Sequence, residues 1–303
     1  MKQLISCLLL LCAGLTGYAC NVCGGTAGNQ YLGLLPQQYK SFIGFQYQRR
    51  EFVSEHPGHR EVESTFSTEK YSTIQVWGRT HIGKRVQVLA FAPYLYNTKT
   101  EENAREVVSG LGDITVIANY NLVMPKDDRQ WKHFMQAGIG LKAPTGYYDR
   151  QALNFGGSLP NMQAGTESWD YSINSNYTLR NGNAGINADV AYIHTTANRY
   201  SYKYGNKLNA GLLFFYQVKL KNFTLIPQAG AKTDVSGRDY DNYQYKWKND
   251  MTGGRQLYGT IGAQAFYGQL GLQCQYSTPF HQHFASGLVR TKYKVETGIY
   301  FLF

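Results

Sequence analysis

The chain has 303 residues with a formal net charge of +10, yet only 17% of its residues are charged, while 32 are glycine and 25 tyrosine. With 15% aromatics and a mean hydropathy of −0.40, it is neither disordered nor a helical membrane protein, since no apolar run beyond the first twenty residues reaches helix-spanning length. Bulk positive charge first suggests nucleic acid, a reading that the N-terminus makes unnecessary.

Lys2 is followed by an apolar run over 4–15 and by Gly17-Tyr18-Ala19. This is the charged, apolar and small-residue order of an export signal, so 1–19 are read as a signal peptide. Residues 20–40 follow as a periplasmic N-terminal segment carrying Cys20 and Cys23 in C-x-x-C spacing. Three chemistries fit that pair and stay open: a disulfide in an oxidising compartment, lipidation of Cys20, and soft-metal or redox chemistry. Cys274, among Leu270, Leu272 and Tyr276, reads as a small lipid-facing residue.

From 41 to 303 the chain alternates with period two. Ile114, Val116, Ala118, Tyr120 and Leu122 oppose Asp113, Thr115, Asn119 and Asn121. Trp169, Tyr171 and Ile173 oppose Asp170, Ser172 and Asn174. Apolar on one face and polar on the other is the pattern of strands between lipid and a wet interior. Strands are expected at 41–52, 69–82, 85–98, 111–123, 132–143, 168–180, 184–195, 207–219, 222–233, 256–267, 269–278 and 291–303. The 85–98 strand has apolar residues on both faces. Short connections alternate with long polar ones (53–68, 99–110, 144–167, 196–206, 234–255 and 279–290). That order predicts an all-β fold: a transmembrane antiparallel up-and-down β-barrel of about 12 strands, with short periplasmic turns and long external loops. The last strand ends on Phe303, with Tyr293, Val295, Thr297, Ile299 and Phe301 on its apolar face and Lys292, Lys294 and Glu296 on the other. It suits a lipid-facing closing strand and resembles the signal that barrel-assembly machinery reads.

The expected location is the outer membrane of a Gram-negative cell, with outer-membrane lipids, lipopolysaccharide, the assembly machinery and a small solute as partners, and no nucleic acid.

Three short motifs stand out in order. Gly110-Leu111-Gly112-Asp113 opens a strand, Pro144-Thr145-Gly146 follows the next, and Gly165-Thr166-Glu167-Ser168-Trp169-Asp170 begins the one after. Together they resemble the Gram-negative outer-membrane β-barrel transporter family of phenol-degradation MetA-type barrels. The resemblance spans the central third and implies a channel-like barrel. The Cys20 to Gly25 stretch also resembles the C-x-x-C-G-C start of some relatives, with Gly25 in place of the third cysteine.

Lumen-lining candidates are the polar-face residues Gln46, Gln48, Arg50, Gln75, Arg79, Asp113, Asn119, Gln136, Lys142, Asp170, Asn174, Asn176, Arg180, Asp189, Gln273, Gln275, Lys294 and Glu296. A passive channel for a small solute is expected, with a structural or adhesive barrel as the alternative. An outer-membrane lipid hydrolase is a further one, disfavoured because no H-x-S pair occurs and His194-Thr195-Thr196 is the nearest approach. No Walker, Rossmann or H-E-x-x-H signature appears. The chain is therefore read as no enzyme, with no catalytic residues and no cofactor. One metal site is entertained. His56 and His59 lie in the first long loop and His281 and His283 in the last, and barrel closure makes those loops neighbours at the external mouth, where four imidazoles suit a transition metal.

Overall fold

The structure, a computed structural model, describes residues 40–56, 64–126, 129–149 and 160–303. The segment with Cys20 and Cys23, and His59 in the first loop, lie outside the described residues. Twelve antiparallel strands close into a barrel. They are β1 (Phe42–His56), β2 (Thr65–Ile82), β3 (Val86–Thr100), β4 (Arg105–Leu111 and Thr115–Val123), β5 (Trp131–Lys142), β6 (Asp170–Asn181), β7 (Ala184–Thr195), β8 (Lys207–Tyr216 and Val218–Leu220), β9 (Phe223–Ser236), β10 (Gly254–Tyr267), β11 (Leu270–Phe284) and β12 (Val289–Leu302). Each pairs with its sequence neighbour. β12 returns to β1 in a register that sets Leu302 against Phe42 and Val289 against Ser54, with a bulge at Glu51/Phe52. Closure leaves no unpaired edge, which a hydrocarbon environment requires.

Burial alternates with the pleat. On the outside, Phe45 (59% exposed), Ile139 (67%) and Ile261 (62%) stand among many exposed aliphatic and aromatic side chains. The same strands bury Gln46, Gln136 and Gln264 inside. A closed sheet with its apolar side chains outside and its polar ones inside is stable only in lipid, so the fold is that of an outer-membrane barrel.

Several strand ends differ from the sequence expectation. β2 begins at Thr65, β4 at Arg105, and β11 runs to Phe284. Of the stretches read as long loops, 99–110 and 279–290 are largely ladder, and the strands run into the third over 53–56 and 65–68. Above the membrane the outer face no longer has to be apolar, so the alternation fades while pairing continues. β3 alternates cleanly, with Leu89 and Phe91 buried inside and Ala90 and Ala92 exposed. The bulge also turns Lys292 onto the outer surface, where its ammonium pairs with Glu51 at 3.0 Å.

The topology predicts a protease-accessible tag beside Tyr245, which is exposed in the 237–253 loop. A tag at Gly182, the two-residue turn between β6 and β7, should be cut only after the outer membrane is opened. Cleavage at Gly182 on intact cells reverses the orientation.

Candidate functional site

The inner wall carries both apolar and polar side chains, and their placement defines the interior. At the end bearing the short turns, Phe42, Trp77, Leu89, Phe91, Ile117, Phe215, Ile226, Phe266, Tyr300 and Leu302 form one buried cluster. The ring centroids of Phe42 and Trp77 are 4.5 Å apart, and those of Phe266 and Tyr300 are 5.8 Å apart. Arg79 lies over the Phe42 ring at 5.1 Å and donates to the Lys40 carbonyl at 2.8 Å. This floor draws on eight strands; β11 adds only the backbone of Gly271 against the Tyr300 ring, and the adjacent β5, β6 and β7 contribute nothing to it.

The gap is filled by amides. In register across the wall run Asn121 of β4, Gln136 of β5, Asn176 of β6 and Asp189 of β7. The row continues through Gly211 of β8 to Lys232 of β9 and Tyr258 of β10. Because strands in a closed barrel are staggered, such a row climbs as it goes round. It starts beside the floor and reaches the middle of the far wall. Gly211 has no side chain where a Cβ would come within 2.7 Å of the Asp189 Oδ1, so the carboxylate lies over bare backbone.

At its upper end the row meets charges. Lys294 lies 3.9 Å from Asp234 and 3.8 Å from Glu296, which accepts from Gln275 at 3.4 Å. The Lys294 ammonium also stands 5.6 Å from the Tyr258 ring centroid. Arg50, Lys232 and Lys294 face Asp189, Asp234 and Glu296 here, three charges of each sign within electrostatic reach.

A second apolar cluster closes the other end: Phe52, Tyr71, Met162, Phe284, Ala285 and Val289. Met162 comes from the connection between β5 and β6, which dips into the mouth as a 3-10 turn over Pro160–Met162. Asn97 donates to the Met162 carbonyl at 2.9 Å, and the Tyr204 hydroxyl to that of Pro160 at 2.9 Å. Below it Ser54, Ser67 and Tyr71 donate to a fully buried Glu69.

The three glycine-rich motifs converge on the base of this lid. Lys142 lies 3.0 Å from both Asp113 and Asp170, all three nearly sealed from solvent. Asp113 accepts from the Gly146 N–H at 2.9 Å, the Thr166 N–H at 3.0 Å and the Thr166 hydroxyl at 2.6 Å. Gly146 and Gly165 touch backbone to backbone: a Cβ on Gly146 would sit 2.7 Å from the Gly165 Cα. Neither position accepts a side chain. The connections 196–206 and 237–253 are stitched to this lid. The Tyr202 hydroxyl and the Gly205 N–H both donate to Asp239 at 2.7 Å, and Asn198 reaches the Thr166 carbonyl. Burial holds the Lys203 ammonium below its ordinary pKa, offset in part by Tyr243, Asp170 and Asp239. Burial also pushes the Tyr148 phenol up to about 12 and raises Tyr204.

Of the lumen candidates, Gln46, Gln48, Gln75, Arg79, Asp113, Asn119, Gln136, Lys142, Asp170, Asn174, Asn176, Gln275, Lys294 and Glu296 are buried. Arg50, Arg180, Asp189 and Gln273 share their inward parity and are half-buried. The apolar floor was not anticipated, although Phe42 stands at even spacing from Gln46 and Gln48, and Trp77 from Gln75 and Arg79.

The histidine cluster needs correction. His56 is on the inner face and meets Ser67 at 2.9 Å, whereas His281 and His283 alternate with the inward Gln282 and are exposed outside. The wall separates them, and among the described residues no group of three metal-ligating side chains forms. His194 is exposed outside and Thr195 buried inside, so they form no nucleophile–base pair. Cys274 is free and exposed on the outer face.

The barrel is similar in structure to an outer membrane channel from Pseudomonas putida F1, with a TM-score of 0.66 and 14% identity over 89% of this chain and 100% of that one. It is also similar to the β domain of the Bordetella autotransporter BrkA, with a TM-score of 0.52 and 14% identity over 88% of this chain and 100% of that one. At these identities the likeness is one of fold. No protein-family model and no curated protein matches the chain.

Proposed function

We propose that the protein is a passive, gated channel for a small polar solute, with the amide row as its path past the apolar floor. The observation that carries this is the unsatisfied chemistry of the row and its neighbours. Both amide atoms of Asn121 and of Asn174, Oε1 of Gln136 and Oδ1 of Asp189 are buried without a protein partner. Orphaned buried polar groups cost about 1–3 kcal/mol each. A run of them along one wall belongs where water or the polar groups of a solute pass. The described parts of the connections 143–169, 196–206 and 237–253 fold inward over the mouth, which favours a gate over an adhesive surface. No catalytic role is assigned, and a labelled phospholipid should remain intact.

Liposome swelling against sugars, amino acids and small aromatics tests the reading. Wild-type protein should admit at least one class of small polar solute. Asn176→Phe, which fills the seam without touching the floor, should abolish that uptake. Swelling with none of the panel, or equal swelling by Asn176→Phe, overturns it.

A further inference from the structure

Outside the barrel, two features share the sector formed by β10, β11, β12, β1 and β2. The first is cationic. Arg255, His281, His283, Arg290 and Lys292 are exposed on the outer surface, and Lys70 of β2 stands on the same face. Register sets Arg255 beside His283, and Arg290 beside Val53. Lys292 is paired with Glu51, and Glu55 is a second carboxylate on this face among the described residues. Arg255 and Arg290 have no ion pair or hydrogen bond among the described residues. At the upper ends of β6 to β9 the outer face instead shows Trp169, Tyr171, Tyr192, Leu208 and Val235, all uncharged and exposed, with the imidazole of His194 among them. The cations are therefore gathered on β10, β11, β12, β1 and β2 rather than spread evenly.

The second feature lies below it on the same strands. A depression of about 660 Å³ is cut into the lipid-facing wall. Ala263, Ala265, Cys274 and Thr297 line it with small side chains, while Phe45, Ile74, Leu272 and Ile299 form its apolar margins. Thr297 is five residues below Lys292 on β12, roughly 17 Å of tilted strand. That is close to the ~15 Å hydrocarbon depth of one leaflet.

We propose that this sector is a binding site for one phosphorylated lipid of the outer leaflet, its phosphates on the cationic band and an acyl chain in the depression. Charge complementarity selects the head group, since guanidinium and imidazole on a low-dielectric wall favour phosphate. The depression selects a molecule with a chain attached, which free phosphate lacks. Shielding the two unpaired arginines at the membrane surface is what the lipid contributes to the barrel.

The test uses refolded full-length barrel in detergent and the midpoint of its heat-induced unfolding. The probes are bis-phosphorylated lipid A, the same lipid with its phosphates removed, and inorganic phosphate. Bis-phosphorylated lipid A should raise the midpoint most, and inorganic phosphate should not raise it. In Arg255→Gln/His283→Gln/Arg290→Gln, which leaves the Lys292–Glu51 pair intact, the advantage of the phosphorylated over the dephosphorylated lipid should vanish. In Ala263→Leu/Cys274→Leu both lipids should lose part of their effect. An undiminished advantage in the triple variant removes the phosphate site. Equal stabilisation by inorganic phosphate shows a plain anion site instead of a lipid one. Full retention of both lipids by the filled depression removes the acyl subsite. Since the charge substitutions are on the outer surface, a cooperative unfolding transition in each variant confirms that the barrel is intact.

Discussion

Replacing Lys142 with methionine should raise the open probability of the barrel in planar-bilayer recordings, so that it conducts for much of the time. Lys142 holds two carboxylates at 3.0 Å in a nearly solvent-free site. Removing the cation leaves Asp113 and Asp170 facing one another without compensation. Breaking a buried pair in this way costs about 3–5 kcal/mol. The cost falls on the lid, because the same Asp113 carboxylate accepts the Gly146 and Thr166 hydrogen bonds that seat it. A bias of about 3 kcal/mol shifts a closed-to-open ratio on the order of a hundredfold. The neutral triple variant Asp113→Asn/Lys142→Met/Asp170→Asn separates charge from packing. With no carboxylate left unpaired, its lid should stay closed for more of the time than in Lys142→Met alone. Wild-type open probability in Lys142→Met would show that the triad does not hold the lid.

That triad also marks how far the sequence could be read. The barrel itself was legible, because alternation is a local property that lipid imposes on every strand. Ile139 and Gln136, three positions apart, already declare opposite faces. Asp113, Lys142 and Asp170 were legible as polar-face residues, and Asp113 and Asp170 also as parts of two of the motifs. Their convergence was not, because it depends on residues 143–149 and 160–169 folding back into the mouth, and no periodicity encodes that. The floor was hidden for a different reason. Phe42, Trp77 and Tyr300 break the rule that inward residues are polar. Parity alone places them inside: Tyr300 and Leu302 share the face of Lys294 and Glu296. The described histidines obey the same parity. The loops are neighbours, as the Glu55 N–H bond to the Leu288 carbonyl at 2.8 Å shows, but parity puts His56 inside the wall and His281 and His283 outside it. Strand ends were lost where the bilayer stops constraining the outer face, as at Thr65 and Phe284.

Tyr300 gives the sharpest energetic test of the floor, because its ring and its hydroxyl pull in opposite directions. The ring is 1% exposed. It contacts Phe42, Trp77 and Phe266 at centroid distances of 5.5, 6.2 and 5.8 Å. It also lies flat against Gly271, where any Cβ would run into it. The ring thus covers the backbone of β11 as well as filling the floor. Its hydroxyl is buried without a hydrogen-bond partner. Tyr300→Phe removes only that orphaned group and should be neutral or stabilising, by up to about 1 kcal/mol. Tyr300→Ala removes the ring, opens a cavity at the centre of the cluster and bares Gly271. Truncating a buried aromatic to alanine costs about 3–5 kcal/mol. Reversible urea unfolding of the refolded barrel in detergent measures both. The same pair of variants tests the floor as a barrier: apolar constrictions exclude water and ions, so residual conductance should rise in Tyr300→Ala and stay at the wild-type level in Tyr300→Phe. Were Tyr300→Phe as destabilised as Tyr300→Ala, the hydroxyl would have a partner and the floor would be held by a polar contact. Were Tyr300→Ala destabilised with conductance unchanged, the floor would be a structural core alone, and the amide row beside it the whole of the path.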